Sequence, residues 1–103
     1  VNTTHPKPDI EKLKAPNRVP IDDSVVGAVQ NVLDELARAI ETHGRTFASM
    51  HEAHSVILEE LEEFWEEVRK KKSERSQPRM RFELCQIAAM AIKAMLQNER
   101  GTV

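Results

Sequence analysis

Cysteine, tyrosine and long apolar runs are what this chain most conspicuously lacks. Its 103 residues hold one cysteine, no tyrosine, one tryptophan and three phenylalanines. A single thiol, Cys85, cannot build a disulfide framework, and no zinc-type Cys/His spacing accompanies it. It lies in an apolar stretch, reads as core packing, and fits a reducing cytosol. No run reaches the ~18 apolar residues that a membrane helix needs, and no apolar stretch near the first residue suits a signal peptide. The three glycines form no phosphate-cradling loop, and no Ser or Cys is set beside a base. P-loop and covalent mechanisms therefore have no support, and a soluble, cytoplasmic protein is expected.

The length fits one domain, and a hydrophobic fraction of 40% with 4% aromatics leaves a core of Leu, Ile, Val, Ala and Met. Three helices of this size make a marginal core alone, so burial against further copies of the chain, a homodimer or homotetramer, is expected. The net charge of -2 hides a sharp division: residues 59–67 carry six glutamates, and residues 69–81 carry seven Lys or Arg with one Glu. The basic segment lacks interleaved aromatics and adjoins the acidic one, so no nucleic-acid partner is expected.

Four of the five prolines fall in residues 1–21, which predicts an extended arm. It reads either as a disordered tail or as an arm docking on a neighbouring subunit through Ile10, Leu13 and Val19. Residues 22–99 form the predicted all-α domain, and residues 100–103 a tail. A first helix should start at Asp22 or Asp23, repeat Val25, Val29, Val32, Leu33, Leu36 and Ile40 on one face, and stop at Gly44 in a left-handed cap. A second should begin at the capping box Ser49-Met50-His51-Glu52, or earlier at Thr46, and run to about Lys72. Pro78 suits the first position of a third. From Leu84 to Leu96 eleven of thirteen residues are apolar, which predicts burial on several sides and makes Gln86 and Lys93 the conspicuous exceptions. The fold class is thus all-α: an antiparallel bundle built on a hairpin of the second and third helices and completed by oligomerisation.

The chemistry concentrates in Glu59-Glu60-Leu61-Glu62-Glu63, separated by nineteen residues from Glu83-Leu84-Cys85-Gln86. On the second helix Ile57, Leu61, Phe64, Trp65 and Val68 make an apolar arc, with Glu60, Glu63 and Glu67 along its flank and Glu59, Glu62 and Glu66 facing away. An antiparallel hairpin brings Glu60 and Glu63 opposite Glu83 and Gln86, which share a face. Three carboxylates and an amide oxygen would repel one another unless they hold a hard divalent cation such as Mg²⁺. A glutamate run on a helix is ordinarily a solvated face, but Glu83, bordering a buried stretch, needs a partner.

At these residues the chain resembles the MazG-like superfamily of all-α nucleoside triphosphate pyrophosphohydrolases, whose signature is E-E-x-x-E, a spacer, then E-x-x-D. Glu59-Glu60 with Glu63 matches the first half and Glu83 opens the second. His51 through Lys72 and Met80 through Ala94 look like a branch common among phage and bacterial sequences, in which glutamine tends to replace the last aspartate. The resemblance covers about half the chain. It implies hydrolysis of a nucleoside triphosphate between the α and β phosphates, dependent on Mg²⁺ with Mn²⁺ able to substitute. Metal binding then falls to Glu60, Glu63, Glu83 and Gln86. Glu63 or Glu59 takes the proton of the attacking water. Gln86 departs from the signature, because an amide lends an oxygen but no charge.

Substrate contacts are expected from Lys93, two turns beyond Gln86, and from Arg79 near the hairpin tip. Trp65 is a base-stacking candidate, and His51 a candidate for the substrate pocket. Each has a plainer reading in helix packing or solvated charge, and His54 reads as an interior or interface group. The alternative to an enzyme is a non-catalytic helical oligomer or partner-binding module with a degenerate metal site.

Overall fold

The computed structural model describes residues 20–99, and they are all-α. Of the predicted arm only Pro20 and Ile21 belong to the described residues; the tail 100–103 lies outside them. Helix α1 spans Asp23–His43, and the Asp22 carboxylate caps it by accepting the Val25 N–H at 3.1 Å. Gly44, at φ 90° and ψ 170°, ends it with its N–H on the Ile40 carbonyl. The positive φ suits glycine, but this ψ sends the chain off extended, not into the left-handed helical cap expected.

Helix α2 spans Met50–Val68 and starts at Ser49, whose hydroxyl accepts the Glu52 N–H at 3.1 Å. Glu52 reaches back to the Ala48 N–H at 2.9 Å, one residue earlier than in a standard capping box. The helix ends four residues short of the Lys72 expected. Arg75 folds back to donate to the Val68 carbonyl at 2.7 Å, so the exposed end of α2 is satisfied from the connection instead of by further turns. The Glu67 carboxylate accepts the Ser76 N–H at 2.8 Å and the Lys70 ammonium at 3.0 Å, which fixes the reversal. The basic run thus belongs to the connection, with a 3₁₀ turn at Lys72–Glu74.

Helix α3 spans Gln77–Glu99. Ser76 caps it by accepting the Arg79 N–H at 3.1 Å, so Pro78 takes the second position, not the first, where a missing N–H is equally harmless. Glu67 meets Ser76 while Glu60 and Glu63 meet Glu83, so α2 and α3 are antiparallel as expected. Asn31 meets Cys85 and Phe47 meets Gln97, so α1 runs alongside α3 in the same sense. Both α1 and α2 pack on α3, the central helix.

The core is small: Leu36, Ala39, Phe47, Ala53, Ala89, Met90 and Ala94, with Val32, Ile40, Met50, Val56, Ile57 and Ile92 packed against it. Alanines at the helix contacts let the backbones approach closely. Beside these, Glu67, Glu83, Gln86, Lys93 and Gln97 are buried, while Phe82, Leu84 and Met95 on α3 are exposed. Within the single chain one face of α3 is covered, and that face carries Glu83, Gln86, Lys93 and Gln97 beside Ala89, Met90 and Ala94. On α2, likewise, Leu61, Trp65 and His54 are exposed, and the covered face is rotated toward Glu60 and Glu67. On α1 Leu36 is buried but Val25, Val29 and Leu33 are not. Cys85 sits half-buried at the α1/α3 edge, its thiol donating to the Asn31 carbonyl at 3.3 Å. No described helix is long and apolar enough to cross a membrane.

Candidate metal centre

Glu60 and Glu63 lie one turn apart on α2, and Glu83 faces them from the second turn of α3. One carboxylate oxygen from each falls within 4.8 Å of the other two. Glu63 is exposed, Glu60 half-buried and Glu83 only 2% exposed. The hairpin register set by Glu67 and Ser76 produces this meeting, since counting equally outward from that contact arrives at the same level. A cation bonded at about 2.0–2.4 Å spans oxygens up to roughly 4–5 Å apart, and three hard oxygen donors suit Mg²⁺ or Mn²⁺.

The electrostatics of the trio are those of carboxylates short of positive charge. The Oε2 of Glu83 is buried with no hydrogen-bond partner. Its Oε1 is 3.5 Å from Arg79 Nε, whose side chain is largely exposed. Burial raises the Glu83 pKa above the ordinary carboxylate value, and its contact with Glu63 raises it further. Burial also pushes Glu60 up to about 7, helped by the charges of Glu63, Glu83 and Glu59. Near neutral pH Glu60 therefore holds a proton part of the time, one that a cation would displace.

A cleft of about 480 Å³ opens from Glu60 between the three helices. Gln86 and Lys93 line it from α3, Glu35 and Arg38 from α1, and Phe47 from the α1–α2 connection. Lys93 is 3% exposed, with its ammonium 4.4 Å from the centre of the Phe47 ring. Phe47 is held in turn by its N–H on the Gln97 side chain at 2.8 Å. The volume is within the usual range of small-molecule sites, roughly 300–1,000 Å³, and the walls combine apolar and charged groups as such sites do.

Of the residues singled out from sequence, Glu60, Glu63 and Glu83 come together, Gln86 and Lys93 share the adjoining cleft, and Arg79 touches Glu83. Glu59 is exposed and reaches the trio through its charge on Glu60. Trp65 and His51 are exposed and do not line the cleft. Phe47, which like Trp65 and Phe64 could stack a base, lines it, and Glu35, Arg38, His43 and Thr46 line it without having been picked out as site residues. Only the i, i+3 pairing of Glu35 and Arg38 hinted at them, and such pairs are common on solvated helix faces. Among known proteins, no family model, no curated sequence and no solved structure matches the chain.

Proposed function

We propose that the chain is a Mg²⁺-dependent nucleoside triphosphate pyrophosphohydrolase. The observation that carries the metal half of this reading is the orphaned, buried oxygen of Glu83 within the trio. An unpaired buried carboxylate is costly, and a cation is the partner that the donor set fits. The nucleotide half rests on the E-E-x-x-E and E-x-x signature and on the cleft that opens from the same carboxylates.

In this reading Glu60, Glu63 and Glu83 hold the metal, with the Gln86 amide oxygen beside them. When bound, the metal neutralises charge on the phosphates and lowers the pKa of water. Glu63, the solvent-facing member, or Glu59 next to the trio would accept the proton of the attacking water. Attack at the α phosphorus breaks its bond to the bridging oxygen and yields a monophosphate and pyrophosphate. Arg79, at the hairpin end of the trio, meets the departing pyrophosphate. The nucleoside lies along the cleft toward Phe47, where Lys93 donates to it.

The active unit in this reading is a homodimer or homotetramer. Val25, Val29 and Leu33 on α1, Leu61 and Trp65 on α2, and Leu84 on α3 are each more than two-fifths exposed, an apolar excess that a second copy would cover.

The test is pyrophosphate release from a panel of ribo- and deoxyribonucleoside triphosphates, with Mg²⁺, Mn²⁺ or chelator. Metal-dependent release with a monophosphate product is expected, lowered on the order of 100-fold in Glu60→Gln by loss of a ligand carboxylate. Silence across the panel from folded protein would sink the enzyme reading and leave a non-catalytic helical oligomer with a degenerate site.

A further inference from the structure

The walls of the cleft come in tiers one helical turn apart. Glu60 and Gln86 stand at the end nearest the trio, Val56, Met90 and Ala39 make an apolar middle, and Lys93 and Glu52 follow beside Phe47. Met90 and Ala39 are buried and Val56 is half-buried, so the middle tier is a dry slot for a flat ring. Lys93 differs from the other groups of its end. It is 3% exposed, and among the described residues its ammonium makes no hydrogen bond or ion pair; its one partner is the Phe47 ring, 4.4 Å away at the centre. The ring face attracts and places the charge but offers no lone pair to its three N–H donors. Nearby groups are engaged or open to solvent: Arg38 is paired with Glu35, exposed Glu52 holds the Ala48 N–H, and His43 is exposed. The Thr46 hydroxyl can donate or accept. Of the groups lining this end, Lys93 alone is buried and a donor only, and a buried donor calls for an acceptor.

We infer that Lys93 selects the base: the cleft takes a nucleotide whose base carries an oxo group at the edge remote from the sugar, purine C6 or pyrimidine C4, in preference to an amino group there. The inference rests on the nucleotide reading proposed above and adds the class of base to it. With the phosphates at the trio and the ring against Val56, Met90 and Ala39, the edge remote from the sugar is the part that reaches Lys93. An oxo group there accepts from the ammonium, as guanine O6 and N7 do from lysine at base edges generally. An amino group sets N–H against N–H and leaves the buried donors unpaired. Guanine, hypoxanthine, uracil and thymine fall on the accepted side, adenine and cytosine on the other.

The experiment is calorimetric titration of the full chain, with Mg²⁺ present, by inosine, adenosine, uridine and cytidine monophosphates, for wild type and K93M. The inosine and adenosine compounds differ only at the edge in question, and so do the uridine and cytidine ones. Wild type should bind the oxo member of each pair about 10-fold more tightly, within the range of one contact read at a base edge. Methionine keeps the unbranched stem and removes a buried charge, so K93M should fold. It should bind the oxo members more weakly and level both pairs, which a merely structural lysine would not do. Equal affinities within each pair in wild type would overturn the inference whether or not K93M folds, and so would a preference that survives in K93M. Binding of none of the four would overturn it as well. Pyrophosphate release from triphosphates by the same protein would then show that the enzyme reading stands without it.

Discussion

Glu67 and Glu83 are both buried glutamates of one hairpin, and they have opposite surroundings. Glu67 accepts the Ser76 N–H and the Lys70 ammonium, which hold its pKa below the ordinary value. Glu83 has one oxygen without a partner, an exposed arginine at 3.5 Å from the other, and a raised pKa. The polypeptide satisfies the first carboxylate and leaves the second short. A chain that neutralises Glu67 so completely within the same hairpin has the means to neutralise Glu83. That it does so only in part is the physical content of calling the Glu83 end a site and the Glu67 end a joint.

The largest effect expected from this contrast is on metal-linked stability. A cation binding only the folded chain stabilises it by about 2.7 kcal/mol at a concentration one hundred times its dissociation constant. Thermal unfolding with and without Mn²⁺ should show that gain in wild type and in Glu67→Gln but not in Glu83→Gln. An equal gain in all three would erase the distinction between the two ends. In chelator the order reverses. Glu83→Gln should be more stable than wild type at about pH 8 by roughly 1–3 kcal/mol, because its amide donates to the carboxylates that formerly repelled it. Glu67→Gln should instead unfold earlier, by several degrees for a domain of this size, having lost the acceptor that closes the hairpin.

How far this contrast was legible in the sequence depends on which residue is asked. The caps at Asp22, Ser49 and Gly44 were visible because each end needs a particular side chain or backbone freedom. Glu60, Glu63 and Glu83 could be brought together because helical spacing and a short connection fix the hairpin register. The end of α2 was not legible, because Arg75 and Glu67 close the connection through contacts five to nine residues apart that no helix period encodes. The inner face of α3 was legible only in part. Helical spacing turned Glu83 and Gln86 toward α2, but periodicity assigns apolar residues to the interior, and here Lys93 and Gln97 share it with Ala89, Met90 and Ala94 while Phe82 and Leu84 face out. Glu35 stayed hidden because it reaches the cleft from another helix than the glutamate signature, and nothing local marks such a convergence.

The smallest effect, and the most diagnostic of the sign, is the pH dependence of the metal-free chain. Glu60 has an ordinary value of 4.5, and folding pushes it up to about 7. Between those values the folded chain holds a proton that the unfolded chain has released. Its contribution is therefore fully present below about 4.5 and is lost as pH rises through about 7. Glu83, also raised, acts with the same sign. Glu67 and Glu35 are lowered, so their contributions are present above the ordinary carboxylate value and are lost as pH falls through their depressed ones. In chelator, stability should decline from about pH 5 to about pH 8, by an amount that solvent screening at half-buried Glu60 keeps modest. Glu60→Gln should flatten that decline, whereas Glu67→Gln should leave its slope unchanged. Parallel slopes in wild type and Glu60→Gln would mean that the proton is not held at the trio, and the two ends of the hairpin would then differ only in packing.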